Sequence, residues 1–386
     1  MASRAPDNTC IDRLLSRWLQ HSSEEEGELP PASEIIARME HHGVVGLLSG
    51  TLSVLDGIPD DIVEFVRDQS IAFAYWEAQH ARYLANALDL MGYAGATPLV
   101  FKGTALAYSA YEAPFMRVRG DSDVIVAPAD FAAACAALDV AGYSVPYSVR
   151  GTLVSAVRVY RAPDPAGDTH DIDLHQRVSN HTALARLFPF EELQERSQPL
   201  PALSRNARAV GPLDALMIAC FHRKVHAESP YFINGTDQHD PNRMIWLADI
   251  DKLTRALPDS AWAHLASLCG AKGLGTIVAE GISEAQKVFA TPLPTSSLQI
   301  LVDQPAGSAA ARYLAAGLGR RTFLNFRATP GIIGKCRFFA ELFFPNREYV
   351  RAMFPHARLR WMPWLYVRYI GGRSLHQLLS RRAPHS

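Results

Sequence analysis

The middle of the chain carries short apolar runs with the spacing of β-strands, and both sides of it carry helical spacing. Two of the strand-like segments contain aspartates: Asp121-Ser-Asp-Val-Ile-Val and His170-Asp-Ile-Asp-Leu-His. A charged residue inside an apolar strand is costly to bury unless it is paired or binds a cation. The pattern therefore predicts an α+β fold whose chemistry lies in the strand region.

Three regions follow from these patterns. We predict an N-terminal helical region over residues 1–95, a catalytic core with strands over residues 96–205, and a C-terminal helical region over residues 206–386. The longest helical pattern runs from Asp60 to Met91. The chain has 386 residues, 48% of them hydrophobic, which is enough for a sizeable core.

The net charge of −1 says nothing about partners, but its distribution is uneven. Residues 1–66 hold 12 acidic and 4 basic residues, whereas residues 317–386 hold 2 acidic and 13 basic residues. Aromatic residues interleave with the arginines of this basic C-terminal end. Core packing of the aromatics beside solvated arginines is the simpler interpretation. Contact with an anionic partner, either a nucleic acid or a membrane surface, is the alternative.

The cysteines and the hydropathy pattern bear on the compartment. The five cysteines are scattered and never form a Cys-x-x-Cys pair, which argues against a disulfide framework and against a zinc site. The N-terminus lacks the features of a signal peptide, and no run of 18 uncharged apolar residues appears. We therefore expect a cytoplasmic protein without a transmembrane segment.

The aspartates of the strand region are candidate metal ligands. Asp121 and Asp123 alternate along a strand, so their side chains point the same way. Two neighbouring carboxylates repel unless a cation lies between them, and oxygen ligands select hard ions such as Mg²⁺. Asp173 stands in the later strand between two apolar residues and is the predicted third ligand. Asp171 points the same way by the period of two and is the reserve candidate.

A strand-to-helix junction upstream is a candidate phosphate site. Its sequence is Phe101-Lys-Gly-Thr. A helix that opens after a strand offers backbone N–H groups and its positive end to a phosphate. Gly103 allows a close approach, Thr104 adds a hydroxyl, and Lys102 can neutralise phosphate charge. An ordinary strand-to-helix turn is the alternative interpretation.

Along the chain, the Gly103-Thr104 junction comes first, the pair Asp121 and Asp123 second and Asp173 last. This order of motifs resembles that of the family of uncharacterised nucleotidyltransferases within the DNA-polymerase-β-like superfamily. The residues that carry the resemblance are Val100-Phe-Lys-Gly-Thr, Arg119-Gly-Asp-Ser-Asp-Val-Ile-Val, Ile172-Asp-Leu-His-Gln-Arg and Asn346-Arg-Glu-Tyr-Val-Arg. The resemblance implies a polymerase-β-like core, a small mixed sheet with helices, flanked by helical regions. Thr104 replaces a serine that is common in the superfamily, and Ser122 replaces an apolar residue.

The resemblance also implies an activity. Such enzymes use two Mg²⁺ ions and a nucleoside triphosphate, here expected to be ATP, and transfer a nucleoside monophosphate to an acceptor. By this resemblance the metal ligands are Asp121, Asp123 and Asp173, and the triphosphate position is Gly103 and Thr104. We expect further phosphate contacts from Lys102, Arg119 and Arg177.

Several points stay open at this level. His175 is expected either to orient a carboxylate or to face the nucleotide. Asp249 and Asp251 lie in a helical pattern, where a charged helix face is the default interpretation. The acceptor is a small molecule, a peptide, a protein side chain or an RNA end. The alternatives are a catalytically inactive nucleotide-binding module that regulates a partner, and a toxin-type nucleotidyltransferase acting on transfer RNA.

Overall fold

The structure is a computed structural model. It describes residues 8–22, 29–51, 55, 57–146, 151–227, 231–233, 236–238, 240–293, 295–303, 307–347, 350 and 362–369. Most of the basic C-terminal end beyond residue 350, including Trp361 and Arg358, lies outside the described residues. The described part is mainly helical and contains a small mixed sheet, so the predicted α+β class is confirmed.

The strands are short. In chain order they are β1 (Leu99–Phe101), β2 (Asp121–Ile125), β3 (Val157–Arg161), β4 (Asp171–His175), β5 (Gln198–Pro199), β6 (Arg208–Ala209), β7 (Tyr231–Ile233) and β8 (Thr236–Gln238). Six of them form one sheet in the order β3-β4-β2-β1-β6-β5, and β7 pairs with β8 in a separate hairpin. β1 runs parallel to β6, whereas β3 is antiparallel to β4 and β5 is antiparallel to β6.

Helices make up most of the rest. They are α1 (Asn8–Leu19), α2 (Ala32–His42), α3 (Val45–Leu48), α4 (Asp60–Tyr93), α5 (Lys102–Ser109), α6 (Phe131–Val140), α7 (Phe190–Glu195), α8 (Pro212–His226), α9 (Met244–Arg255), α10 (Ala261–Lys272), α11 (Gly275–Phe289), α12 (Thr295–Val302), α13 (Ala309–Leu314), α14 (Leu318–Ala328) and α15 (Gly331–Phe343). Residues 362–369 are also helical. None of the described helices has both the length and the apolar character that crossing a membrane requires.

The chain divides into two compact units. The first unit consists of Met1–Asn86, Val100–Ser122 and Ser197–Ala306, and the second consists of Ala87–Leu99, Asp123–Arg196 and Gly307–Ser386. Each unit therefore combines segments that are distant in the chain. The three-region division predicted along the sequence stays a prediction.

The core of the first unit is a helical cluster. α8, α9 and α11 pack on one another, and α5 also contacts α8. Leu216, Leu247 and Ile282 are fully buried in these helices. A Cβ atom on Gly281 would lie 2.7 Å from Sγ of Cys220, so the glycine is what permits this close approach of α11 to α8.

The core of the second unit includes the β3–β4 hairpin. Tyr160 pairs with Ile172, and Val159 pairs with Asp173, across the two strands. Tyr160 is fully buried and donates a hydrogen bond of 3.1 Å to the carbonyl oxygen of Cys135 in α6. This contact holds α6 to the hairpin that carries Asp173. The later helices of the unit contact one another in series, α13 with α14 and α14 with α15.

Candidate functional site

The acidic pair begins strand β2. Asp121 and Asp123 are alternate residues of this strand, so their side chains leave the same face. Asp121 is exposed, whereas Asp123 is largely buried and the intervening Ser122 is fully buried. The strand therefore starts at the pair itself and includes Ser122, the polar residue that stands where the resembled family has an apolar one.

Within the second unit, strand β4 brings Asp173 and His175 beside Asp123. One ligand atom from each of these three side chains lies within 4.8 Å of the others. The Nε2–H group of His175 donates to Oδ1 of Asp123 over 2.8 Å, and both side chains are nearly buried. The backbone N–H of Val126 donates to the carbonyl oxygen of His175 over 3.1 Å, which fixes the end of β2 against β4.

Asp171, the reserve candidate for the third ligand, has a different partner. Arg161 on β3 donates two hydrogen bonds to its carboxylate, of 2.8 and 2.9 Å. The two residues are register partners across the hairpin. Of the two aspartates on β4, Asp173 thus lies beside Asp123, and Asp171 is engaged in a cross-strand ion pair.

The chemistry of these donors fits a divalent cation. Carboxylate oxygens suit Mg²⁺ and Mn²⁺, and a histidine that hydrogen-bonds to a ligating carboxylate fixes its orientation. Because Asp123 and His175 are mostly shielded from water, their hydrogen bond restricts the rotation of the Asp123 carboxylate. The arrangement can therefore present preorganised oxygen ligands.

Two further groups of side chains come within ligand distance: His41, His42 and Asp240, and Asp164, Asp168 and His170. In the first group, Nε2 of His42 hydrogen-bonds to Asp12 over 2.8 Å, and its Nδ1 accepts the backbone N–H of Met244 over 3.3 Å. In the second group, Asp164 accepts the backbone N–H of Asp168 over 2.8 Å in the β3–β4 turn. These contacts tie His42 and Asp164 to neighbouring parts of the fold.

The predicted strand-to-helix junction lies in the first unit. β1 ends at Phe101, and α5 begins at Lys102. Lys102 has a φ of +54°, a left-handed conformation that is uncommon for a residue other than glycine. Such backbone outliers cluster at ligand sites. The first turn of α5 also provides N–H groups without intrahelical partners, as a phosphate site requires.

Gly103 is packed against a buried arginine. A Cβ atom at this position would lie 2.9 Å from Nη2 of Arg117. Two hydrogen bonds of 2.7 Å to the carboxylate of Asp249 hold the guanidinium in place, and Tyr111 donates to the same carboxylate over 2.7 Å. Burial would lower the pKa of Arg117, but the charge of Asp249 holds that pKa above its ordinary value. Arg117 therefore stays charged behind the turn.

Thr104 directs its hydroxyl into the protein. The hydroxyl donates to Oγ of Ser122 over 2.9 Å, and this oxygen lies 2.6 Å from Nε2 of His80. The imidazole of His80 stacks on Trp76, with 4.4 Å between ring centroids. All three polar side chains are buried. This chain of hydrogen bonds explains why the polar Ser122 is tolerated inside β2. Because the hydroxyl of Thr104 is used in this chain, the group that Thr104 can offer to a phosphate is its backbone N–H.

Arg119 is held by partners from two helices. Its Nη1 and Nη2 each lie 2.8 Å from a carboxylate oxygen of Glu77, and its guanidinium lies over the rings of Trp76 and Tyr108. The hydroxyl of Tyr108 donates to the same carboxylate of Glu77. The side chain of Arg119 is only 4% exposed. In the structure Arg119 is engaged in this buried ion pair, and its expected phosphate contact stays a prediction.

Arg177 braces a loop in the second unit. Its guanidinium donates to the carbonyl oxygens of Ser179, Leu153 and Asn180 over 2.9, 3.0 and 3.2 Å. Burial lowers the pKa of Arg177, and the charge of Glu341 partly opposes this effect. Its expected phosphate contact also stays a prediction.

Sequence reasoning missed several of these partners. Asp249 and Asp251 are buried, so a charged helix face is wrong for both. Arg117 stands in an irregular segment, while Glu77 and His80 lie inside the long periodic helix α4. The sequence did carry one signal, which is that Glu77 and His80 are polar residues within an apolar helical pattern. Such a signal indicates that a residue is buried, but it does not show which residue it pairs with.

The model of a family described as uncharacterised nucleotidyltransferase matches residues 30–290. The match covers more than half of the chain and includes all the candidate metal ligands and phosphate contacts named above. No curated protein matches the chain in sequence.

Proposed function

Because the chain belongs to the family of uncharacterised nucleotidyltransferases, we propose that it transfers a nucleoside monophosphate from a triphosphate, expected to be ATP, to an acceptor and releases pyrophosphate. The family membership supports a transferase activity. The observation that carries the finer proposal is the meeting of Asp123, Asp173 and His175, with ligand atoms within 4.8 Å. Phosphoryl chemistry of this kind depends on positioning and on stabilisation of charge rather than on a protein nucleophile.

The metal ligands of this proposal are Asp121, Asp123 and Asp173, and the metal is Mg²⁺. When bound, two such ions would activate the acceptor hydroxyl and neutralise charge on the leaving pyrophosphate. Asp173 also accepts the proton of the acceptor hydroxyl. His175 keeps the Asp123 carboxylate in one orientation, which its hydrogen bond of 2.8 Å supports.

The triphosphate binds at the start of α5 in this proposal. The hydroxyl of Thr104 is bonded to Ser122. We therefore place the phosphate contacts on the backbone N–H groups of Gly103 and Thr104, with the ammonium group of Lys102 beside them. The left-handed conformation of Lys102 supports this site, as does the N-terminal end of α5, whose backbone dipoles favour an anion.

A transfer assay tests the proposal. The purified chain is incubated with Mg²⁺, a cell extract and each labelled triphosphate in turn, and then protein, RNA and small molecules are separated. We expect label from ATP in one fraction, and we expect Asp123→Asn to abolish it. Asp139→Asn is the matched control, because this aspartate of the same unit is half-exposed and its carboxylate pairs with Arg158 over 3.3 Å instead of joining the candidate metal ligands. Absence of label with the unaltered chain, or full activity of Asp123→Asn, contradicts the proposal.

The same assay separates the alternatives. Label in the RNA fraction that falls steeply with salt indicates a toxin-type enzyme acting on transfer RNA. Binding of triphosphate without label in any fraction indicates an inactive regulatory module. Label on a small molecule or peptide identifies the acceptor class directly. The cytoplasmic location and the contact of the basic C-terminal end with an anionic partner stay predictions.

A further inference from the structure

Helix α15 turns an apolar face to solvent. Ile332, Cys336 and Phe339 follow each other at spacings of four and three residues, so they share one side of the helix, and Ile333 lies next to them. Ile332 is 82% exposed, Ile333 is 78% exposed and Phe339 is 46% exposed. The solvent side of a helix normally carries charged and polar residues. An exposed apolar face of this kind marks an interaction site.

The apolar surface continues onto the preceding helix. The rings of Phe326 in α14 and Phe339 in α15 have centroids 4.9 Å apart. Phe323, also in α14, is 59% exposed. The opposite side of α15 is anchored in the unit, since Phe338 and Leu342 are buried. We call the exposed side of the two helices the α14–α15 face; its apolar members are Phe323, Ile332, Ile333, Cys336 and Phe339.

The segment that carries this face is strongly basic. Residues 307–347, all of them described, contain seven basic residues and one acidic residue. The acidic residue, Glu341, is buried and accepts the backbone N–H groups of Leu153 and Val154 over 2.7 and 3.1 Å. Arg327 and Arg337 are exposed, and Lys335 is half-buried with its ammonium over the ring of Phe326. No acidic side chain of this segment therefore reaches the solvent.

We propose that the α14–α15 face docks on an anionic lipid bilayer. Aliphatic and aromatic side chains flanked by basic residues on one helical surface are the features of helices that lie in a membrane interface. Ile332 and Ile333 enter the boundary between headgroups and acyl chains. Arg327, Lys335 and Arg337 remain at the level of the anionic headgroups, where each basic residue adds to the attraction.

Other occupants fit the face less well. Single-stranded nucleic acid binds by stacking bases on aromatic rings. The most exposed members here are isoleucines, which offer no ring. A second copy of the chain would bring the same basic residues against each other, and no exposed acid of the segment would compensate them. The bilayer satisfies both the aliphatic surface and the charge.

Flotation with lipid vesicles tests this proposal on the full chain. The protein is mixed with vesicles of phosphatidylcholine alone or of phosphatidylcholine with phosphatidylglycerol. We expect binding to the anionic vesicles only. The double variant Ile332→Ser/Ile333→Ser should reduce the partition coefficient at least about tenfold, because two large apolar side chains no longer insert. Arg337→Gln should reduce it about fivefold.

A matched control removes exposed apolar side chains elsewhere. Ile71 is 65% exposed and Val140 is 90% exposed, so Ile71→Ser/Val140→Ser should bind vesicles as the unaltered chain does. Thermal unfolding of both double variants checks that they are folded. Failure of the unaltered chain to bind anionic vesicles overturns the proposal, as does full binding by the Ile332/Ile333 double variant. RNA binding or dimerisation that requires Ile332 and Ile333, without vesicle binding, overturns it in favour of that partner. The assay does not depend on the transfer reaction.

Discussion

His175 donates a hydrogen bond of 2.8 Å from Nε2 to Oδ1 of Asp123, across the neighbouring strands β4 and β2. Both side chains are nearly buried, so water competes little for this bond. Of the two roles expected for His175, this geometry favours the orientation of a carboxylate. Within the proposed function, His175 is therefore a positioning residue rather than a catalytic one.

Replacement of His175 should weaken the use of metal. We expect His175→Leu to raise the Mg²⁺ concentration for half-maximal transfer about 10- to 100-fold, because the Asp123 carboxylate loses its orientation. His175→Gln retains an N–H donor and should recover part of this loss. Titration of transfer activity with Mg²⁺ measures the effect. A purely structural role would instead lower thermal stability in both variants and leave the Mg²⁺ dependence of the folded protein unchanged.

The two aspartates of β4 should differ in their effect on transfer. Asp173→Asn should abolish transfer, since this carboxylate lies beside Asp123. Asp171→Asn should retain most of the activity, since its carboxylate pairs with Arg161, whose side chain is 40% exposed. A partly exposed pair of this kind contributes at most about 1 kcal/mol to stability. Transfer rates of the two variants under identical conditions decide the matter, and the reverse order would reassign the third ligand.

Gly103→Ala should disturb the turn at the start of α5. The new methyl group would lie 2.9 Å from Nη2 of Arg117, which Asp249 holds by two hydrogen bonds. Because the guanidinium cannot move away without breaking a buried ion pair, we expect a loss of about 1–3 kcal/mol in the free energy of unfolding. Denaturant unfolding measures it. Gly92→Ala is the control, because nothing lies within 4 Å of the added methyl group there. Equal stability of the two variants would contradict the packing argument.

Arg119 offers a choice between two roles. Arg119→Met leaves the buried Glu77 carboxylate with the hydroxyl of Tyr108 but without its charged partner, so we expect a loss of about 3–5 kcal/mol in the free energy of unfolding. The double variant Glu77→Gln/Arg119→Met should regain part of it, because the uncompensated charge is gone. A phosphate contact would appear differently, as a raised KM for the triphosphate with stability unchanged. Unfolding and kinetics of the same variants separate the two roles.

His42 should make stability depend on pH. Its Nδ1 accepts the N–H of Met244, so the ring is held neutral, and burial lowers its pKa below 6.5 although Asp12 opposes the shift. The unfolded chain then binds more protons than the folded chain in mild acid, and stability falls as the pH drops through 6.5.

The measurement is thermal unfolding between about pH 7.5 and pH 5, above the range where carboxylates titrate. His42→Gln should flatten the pH dependence of the unfolding temperature. The exposed His264 provides the control variant, His264→Gln, which should keep the slope of the unaltered chain. An unchanged slope in His42→Gln would show that His42 does not contribute.

The sequence analysis favoured core packing for the aromatic residues of the C-terminal end, and the C-terminal helices bear this out for only some of them. Phe338 packs in the core as expected, but Phe339, Phe344 and Trp364 are about half-exposed. Alternation of aromatic residues with arginines does not distinguish these cases. The side that a helix buries depends on what it packs against, and besides the adjacent α14, α15 also meets the distant segment at Leu153 and Val154 through Glu341.

Local patterns in the sequence determined the α+β class, the strand that carries Asp121 and Asp123, and the junction at Gly103. These features depend on the alternation of side chains along a strand and on the backbone at a helix start, which a few consecutive residues establish. The sequence preferred Asp173 to Asp171, and the tertiary structure is what places Asp173 beside Asp123. Tertiary structure alone decided that Arg117 pairs with Asp249, 132 positions later in the chain. The partner of a buried charge depends on which elements pack together, and that choice is made by the whole fold.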